Sequence, residues 1–399
     1  MAGTALVGLD CSDYNKLVYH TDASFYGLLD HLHAAAQRGV PKAELNRLEI
    51  ALGVNYNTEY MLYDPYLRSI ISPTRHIIRD WMHTCVSNGI AGTEMMMLFI
   101  ALDQAGVQMA MVCAFAEKFV LPKKWGRVNP AWFKEDNLTN EGLRCFASEQ
   151  LNMLPIVDAF LAEVVRPLGL LRDHCRCFEL LHRIIAIFSL GPEKSMVHLD
   201  DLRRSIVAHH ELFTTVYPKS ACKPKWHQLL HVPENMMALG SLVSCFPSER
   251  KHSSVKIAAK DIFRYFEGTL LIDLVSRQLH GMQEASLYKD ISMVAPTTVQ
   301  AGGMELQRSS SANLPSGEVK AGDYVWLQTD AVSEVVCFWG NAEGSVLAAV
   351  IPWQRGTSST NWIVGGGEVA FIDAADIVCP LVWALRQPGV IRVCVPVVR

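Results

Sequence analysis

The segment 171–190 has the sequence LRDHCRCFELLHRIIAIFSL, in which apolar side chains recur every three or four positions. This spacing is typical of an amphipathic helix with one buried face. Comparable patterns cover residues 93–119, 141–165 and 196–216, and prolines or glycines separate them. The sequence therefore predicts an all-helical block over residues 93–224.

Upstream of this block the pattern is helical at first and then changes. Residues 22–53 carry leucines at helical spacing and predict two amphipathic helices. Between Tyr66 and Asp80, isoleucines flank the break Ser72-Pro73-Thr74, which predicts a short strand that ends at Asp80. An acid at the end of a strand is well placed to serve a functional site.

Downstream of the block the apolar runs shorten. Residues 228–232 and 242–246 predict buried strands, and residues 248–279 predict a long helix. A segment with Gly, Ser and Pro follows, through residue 317, and predicts a linker. The tail, residues 319–398, alternates apolar runs with Gly, Asn and Asp turns, which predicts a small β-barrel or sandwich.

Together these patterns predict an α+β protein in which a mixed core is interrupted by a large all-helical insertion and followed by a small β module. The expected divisions are an N-terminal segment with part of the core, the insertion, the rest of the core, a linker and the β module. They cover residues 1–92, 93–224, 225–287, 288–317 and 318–399 respectively.

Composition limits the classes of function. The net charge of −4 excludes a polycation that coats nucleic acid without specificity, so any nucleic-acid site must be a local patch. The eleven cysteines form no CxxC pair, which favours a reduced, intracellular protein without a zinc knuckle. The N-terminus has no basic signal region, and the longest uncharged apolar run, residues 104–116, is too short to span a bilayer. We therefore expect no membrane association.

Two acids and a basic stripe could carry chemistry on DNA. Phosphoryl transfer with two metal ions needs converging carboxylates, and Asp80 and Glu249 could meet if the helical block leaves and rejoins one core. Carboxylate oxygens are the ligands that Mg²⁺ prefers. From Val216 to Arg264 basic residues outnumber acidic ones, which indicates a local phosphate-binding patch. The expected DNA contacts are Lys225, Arg250, Lys251, Lys256 and Lys260.

Three motifs in order, DWMH at 80–83, KWHQLLHVPE at 225–234 and FPSER at 246–250, resemble the distal half of the CACTA (En/Spm-like) DNA transposases. The resemblance covers about residues 22–279. It implies a ribonuclease H-like core with a helical insertion and a DDE/D site for DNA cleavage and strand transfer. By this resemblance Asp80 is the second catalytic acid and Glu249 the third, with His83 and His252 in support.

The resemblance also implies the surroundings of such an enzyme. It implies Mg²⁺ or Mn²⁺ on Asp80 and Glu249, no organic cofactor, transposon-end DNA as the partner, a homo-oligomer and a nuclear location. Only 79 residues precede Asp80, and Asp10 is the one candidate for the first acid. Loss of the first strands is favoured over Asp10, so activity is expected to be impaired. The alternatives are a noncatalytic DNA-binding or protein-interaction module of transposon origin, or a plain helical scaffold.

Simpler roles compete with each catalytic one. Asp80 could cap the helix that follows it, and Glu249 could be a first-turn acid that the helix dipole stabilises. The basic stripe could be a solvated helix face. His227 and His231 could be a zinc pair, although core histidines are favoured, and His174-Cys175-Arg176-Cys177 is more often core than a metal site with a distant partner.

The aromatic residues of the tail also have two interpretations. Trp326, Trp339 and Trp353 could bind a peptide, as in small barrel modules of chromatin readers. Filling a small β core is the favoured role, because aromatic side chains bury large apolar areas.

Overall fold

The computed structural model describes residues 20–139, 142–245, 268–269, 271–272, 275–276, 291–301, 304–340, 345–356, 361–364 and 367–394. Within these residues the chain is an α+β protein, with a helical region up to residue 245 and a largely antiparallel β region from residue 291. The predicted fold class is confirmed at this level.

The N-terminal helices form as their pattern predicts. Helix α1, Asp22–Gln37, begins at Thr21, whose hydroxyl accepts the Ser24 N–H at 3.1 Å. Helix α2, Lys42–Leu52, ends at Gly53, which has a positive φ of 73° that glycine adopts without strain. Two short helices follow, α3 at Pro65–Ile70 and α4 at Pro73–His76.

The predicted strand that ends at Asp80 is wrong. Pro73 occupies the first turn of α4, where its missing N–H costs nothing, so the chain turns helically there. Residues 77–80 have no regular secondary structure and no strand partner among the described residues. The Arg79 N–H donates instead to Oδ1 of Asn235 at 3.0 Å. Asp80 then leads into a single π-helical turn, Met82–Val86.

The helices predicted over residues 93–224 form, although the first is divided and the short strands Phe119–Val120, Leu138–Thr139 and Gly142–Leu143 interrupt the block. Helices α5 and α6 replace one long helix, because the chain turns at Gly106, where φ is 83°. A π-helical turn, Leu161–Val165, extends α7. The helices of this block are α5 Ile90–Gln104, α6 Met109–Ala116, α7 Ala147–Phe160, α8 Arg172–Ser189, α9 Lys194–Val197 and α10 Leu199–Val216.

The strand predicted at residues 228–232 is also wrong, because these residues lie inside helix α11, Pro224–Leu239. Pro224 starts this helix, and its buried residues Trp226, Leu229, Leu230, Val232, Pro233 and Met236 follow a helical period. Residues 242–245 form no strand, and Phe246 lies outside the described residues. The long helix predicted at 248–279 is described only at six helical residues.

One large hydrophobic core joins the helices. Trp81 stacks on Phe188 and Phe213 packs on Trp226, with ring centroids 5.4 and 4.6 Å apart. The stretch Met82–Gln104 is apolar and long enough to cross a membrane, but 67% of its most apolar window is buried inside the protein, as in a core helix.

The β region begins earlier than the sequence pattern indicates. The predicted linker, 288–317, contains four strands and the start of a fifth. The alternation of apolar and polar residues is hard to see in the sequence, because polar side chains are frequent on the exposed hairpin 297–309. The strands from residue 291 are β4 Ser292–Met293, β5 Thr297–Ala301, β6 Met304–Ser309, β7 Ser311–Leu314, β8 Gly317–Lys320, β9 Tyr324–Leu327, β10 Val332–Gly340, β11 Val346–Arg355, β12 Asn361–Val364, β13 Ala370–Asp373, β14 Ile377–Pro380, β15 Val382–Gln387 and β16 Val390–Cys394.

The main sheet is antiparallel and open among the described residues. Its order is β1-β15-β16-β12-β11-β10-β6-β5, where β1 is Phe119–Val120 of the helical region. Strand β13 pairs with β11, β9 pairs with β10, and β14 pairs with β9. The strands β4, β7 and β8 form a second sheet, and Leu138–Thr139 (β2) pairs with Gly142–Leu143 (β3). No barrel closure is found in this part of the chain.

Contacts tie the β region to the helical region. Strand β1 pairs with β15, and the Lys123 N–H donates to Oδ1 of Asp323 at 2.9 Å. Glu163 of the π-helical turn pairs with both Arg386 and Arg392. The β15 residues Val382 and Ala384 belong to the same core as the helices. The two regions therefore bury part of their apolar surface against each other.

Candidate functional site

Asp80 is the last residue of the segment 77–80 and lies just before the π-helical turn Met82–Val86. The buried Trp81 anchors this turn in the core. Oδ2 of Asp80 accepts the His83 N–H at 2.9 Å, in the manner of an N-cap. The same oxygen lies 2.6 Å from Nδ1 of His83. The capping role considered from the sequence is therefore present.

The other oxygen of Asp80 contacts the end of the helical region. Oδ1 accepts the N–H of Cys245 at 2.8 Å, across 165 positions in the sequence. Asp80, His83 and Cys245 each offer a potential ligand atom, and these atoms all lie within 4.8 Å of one another. The side chain of Asp80 is 12% exposed and that of His83 46% exposed, so solvent reaches this cluster.

Lys225, at the start of α11, binds the π-helical turn Met82–Val86. Its ammonium donates to the carbonyls of His83 and Ser87 at 2.7 and 2.8 Å. Burial, and then the charge of Lys223, lower the pKa of Lys225 below its usual value. These bonds account for one structural role of Lys225, and its contact with DNA stays a prediction.

His227 and His231 lie one turn apart on α11, not on a strand. Their Nε2 atoms are 3.1 Å apart, and Nδ1 of His231 is 3.0 Å from Oε2 of Glu234. Burial lowers the pKa of His227, and the neighbouring His231 and Arg79 lower it further. A chain of one carboxylate and two imidazoles, partly buried against the core, is a polar network that needs no metal to explain it.

Arg79 is half-buried next to the His227–His231–Glu234 network. Burial lowers the pKa of its guanidinium, and its backbone bond to Asn235 fixes α11 beside the segment that leads to Asp80. The structure thus brings Asp80, His83 and Lys225 to one place between the start of α11 and the end of the helical region.

The remaining residues of the predicted site cannot be placed. Glu249 and the candidate first acid Asp10 lie outside the described residues. The same holds for the supporting residue His252 and for the predicted DNA contacts Arg250, Lys251, Lys256 and Lys260. Their roles as metal ligands or DNA contacts therefore stay predictions.

Sequence reasoning missed two residues that build this site, Cys245 and Asn235. Cys245 contributes a backbone N–H, which every residue except proline carries, so no side-chain pattern could reveal it. Asn235 follows the Pro233-Glu234 end of a quoted motif, and only the fold shows that its amide meets Arg79.

The other residues that the sequence singled out belong mainly to the core. Trp326 and Trp353 are 4% and 8% exposed, which confirms the core-filling role of these two. Trp339 faces the guanidinium of Arg308 at 5.6 Å. Cys175 and Cys177 are fully buried on α8.

No protein-family model matches the chain, and no curated protein matches it either. The function therefore has to be argued from the motifs and from the geometry around Asp80.

Proposed function

We propose that this protein derives from a DDE/D transposase of the CACTA type and keeps the part of the catalytic region that carries the second and third acids. In this proposal Asp80 and Glu249 are the ligands of a divalent ion, Mg²⁺ or Mn²⁺, and transposon-end DNA in the nucleus is the ancestral substrate. The observation that carries the proposal is the 2.8 Å hydrogen bond from the Cys245 N–H to Oδ1 of Asp80.

This bond supports the proposal because it joins the two ends of the long helical segment between Asp80 and Cys245. The chain leaves Asp80, forms helices α5 to α11 and returns to the same carboxylate at Cys245. Glu249 follows four positions later. Four residues span at most about 14 Å, so the length of chain after Cys245 permits Glu249 to approach Asp80. A chance set of motifs would not require this return.

The carboxylate of Asp80 also keeps capacity for a cation. Two carboxylate oxygens offer about four lone-pair sites, and the described contacts use three, from the His83 N–H, the His83 ring and the Cys245 N–H. Its partial exposure gives an ion access. Asp80 and Glu249 would hold the ion, and the chemistry that a bound ion would supply is stabilisation of the attacking and leaving oxygens of a phosphodiester.

The ribonuclease H-like core is part of this proposal as ancestry. Among residues 20–139 and 142–245 the strands are two residues long, so this part of the chain does not contain the sheet of such a core. Cleavage would need further strands and a first carboxylate, either from residues outside the described ones, such as Asp10, or from another copy in a homo-oligomer. Alone, the chain is expected to bind metal and DNA and to cleave poorly.

The experiment compares Mn²⁺ binding by the full chain and its variants, by electron paramagnetic resonance of the free ion. Asp80→Asn and Glu249→Gln should each abolish binding, because each removes one anionic ligand. Asp64→Asn is the matched control. Asp64 also caps a helix, α3, by accepting the N–H groups of Tyr66 and Leu67, but it is not a predicted metal ligand. If Asp80→Asn binds Mn²⁺ as Asp64→Asn does, the metal site at Asp80 is excluded.

A noncatalytic DNA-binding module is the second candidate, because Asp80 already has a complete capping role. In that case Asp80→Asn leaves DNA affinity and its salt dependence unchanged. Lys256→Ala should weaken binding and reduce the slope of log K against log[salt] by about 1, since one phosphate contact is lost. Lys42→Ala, on α2, is the control. Fluorescence anisotropy with labelled duplex DNA measures both quantities.

A further inference from the structure

Three helices of the core bring a carboxylate, a thiol and an imidazole together far from solvent. Glu94 lies on α5, Cys177 on α8 and His209 on α10. Each residue is 0% exposed, and their potential ligand atoms all lie within 4.8 Å of one another. Neither the transposase motifs nor the contacts of Asp80 involve these residues.

Hydrogen bonds within the described residues leave this cluster incompletely satisfied. Nε2 of His209 lies 2.6 Å from Oε2 of Glu94, and Sγ of Cys177 lies 4.0 Å from the carbonyl of His209. Oε1 of Glu94 and Nδ1 of His209 are buried and have no hydrogen-bond partner in this part of the chain. Buried polar atoms without partners cost free energy, so the arrangement calls for a further ligand.

We propose that Glu94, Cys177 and His209 bind a zinc ion that joins α5, α8 and α10 in the core. Thiolate sulfur, imidazole nitrogen and carboxylate oxygen are the three ligand types that zinc uses in proteins. A thiolate and a carboxylate together balance the two charges of Zn²⁺, and a neutral imidazole adds none. A neutral buried site avoids the desolvation penalty of an isolated carboxylate.

The distances require only small side-chain movements. Zinc ligands lie about 2.0 to 2.3 Å from the metal, so in a tetrahedral site they are about 3.5 Å from one another. The ligand atoms of this cluster are already within 4.8 Å of one another. The Glu94 and His209 atoms, 2.6 Å apart, would separate by about 1 Å to admit the ion.

Tyr217 supports a fourth, non-protein ligand. Its hydroxyl is buried without a hydrogen-bond partner among the described residues. Burial raises the pKa of its phenol well above the usual value, and the nearby Glu94 and Cys177 raise it further. A water molecule in the fourth coordination position would complete the tetrahedron.

Without metal, the thiol stays protonated. Burial raises the pKa of Cys177 far above that of a free thiol, and the charge of Glu94 raises it further. Binding of Zn²⁺ displaces the thiol proton to solvent as the sulfur–zinc bond forms.

The test uses the full chain, purified and then refolded with Zn²⁺, and measures bound metal by mass spectrometry. We expect about one zinc ion per chain, because the three core residues form one ligand set. Cys177→Ser should lose this ion. Cys175→Ser is the matched control, because Cys175 is equally buried two positions earlier on the same helix. It should keep the metal.

Two further measurements cover variants that fail to fold. Replacement of zinc by Co²⁺ in the unmodified chain should give a thiolate-to-metal charge-transfer band, and removal of zinc by a chelator should lower its thermal midpoint. A chain that binds no zinc after refolding, or a Cys177→Ser variant that keeps both zinc and the band, overturns the proposal.

A third variant separates this site from the Asp80 cluster. Cys245→Ser removes the only thiol of the described Asp80 cluster and should leave the zinc content unchanged. If Cys245→Ser loses the metal while Cys177→Ser retains it, the ion belongs at Asp80 and the core site is excluded. The core site can therefore fail while the transposase proposal stands, and the reverse is also possible.

Discussion

The indole of Trp81 stacks on the ring of Phe188 with centroids 5.4 Å apart and planes inclined by 27°. Trp81 directly follows Asp80 in sequence, and Phe188 lies near the end of α8. The stack therefore fixes the turn that follows Asp80 against the helical core. Stability of the core and geometry of the candidate site are coupled through this pair.

Replacement of Trp81 by alanine should destabilise the protein by about 3 to 5 kcal/mol, because a large buried aromatic side chain is lost. Phe188→Ala should cost a similar amount. Because the rings contact each other, the double variant should cost about 0.5 to 1.5 kcal/mol less than the sum. Urea unfolding followed by circular dichroism measures all three. Additive costs would show that the stack contributes nothing beyond burial.

Asp80→Ala should destabilise the protein more than loss of a cap alone. It removes the cap on the His83 N–H and leaves the Cys245 N–H without its acceptor, for a combined cost of about 2 to 4 kcal/mol. Asp64→Ala removes a cap only and should cost about 1 kcal/mol. Urea unfolding compares the two, and hydrogen exchange at Cys245 should accelerate only in Asp80→Ala. Equal costs would mean that the Cys245 contact is energetically neutral.

Asp323 should hold the β region against the helical region. The residue is 3% exposed, and its two oxygens accept the N–H groups of Lys123 and Lys320 at 2.9 and 2.8 Å. Asp323→Ala leaves both donors without this acceptor and should cost about 2 to 4 kcal/mol. Limited proteolysis should then cut near Lys123 faster than in the unmodified chain. Asp330→Asn, in a turn of the same region, should change neither quantity, because asparagine tolerates the positive φ of 59° at this position.

Periodicity in the sequence predicts most of the helices and the β tail correctly, but the short strands predicted upstream of the tail incorrectly. Segments such as α8 and α10 are long enough for one buried face to repeat several times. Residues 228–232 show why short runs fail: five apolar and polar residues fit a strand or a helix equally, and Pro224 decides for the helix. The strands β4 to β7 were not predicted, because much of this segment is polar.

The candidate site could be predicted only through its side chains. Asp80 and His83 stand three positions apart, so their contact is local and visible in sequence. The Cys245 contact and the Glu94–Cys177–His209 cluster join residues separated by 32 to 165 positions. Cys177 belongs to a Cys/His run that is visible in the sequence, but its partners in the cluster are single residues on two other helices. Only packing of those helices identifies them.

The imidazole of His227 should make stability depend on pH. Burial, His231 and Arg79 lower its pKa in the folded protein below the value of about 6.5 in an unfolded chain. The unfolded state therefore binds the proton first as pH falls. Stability should decrease as pH is lowered through about 6.5 and level off below the folded-state pKa.

His227→Gln keeps a polar side chain of similar length and removes this titration. Its urea midpoint should change less between pH 7.5 and 5.5 than that of the unmodified chain, while groups common to both contribute equally. His76→Gln is the control, because that exposed imidazole on α4 lies outside the His227 network. If His227→Gln and His76→Gln show the same dependence on pH, the buried imidazole network of α11 does not control acid stability, and protonation elsewhere must account for it.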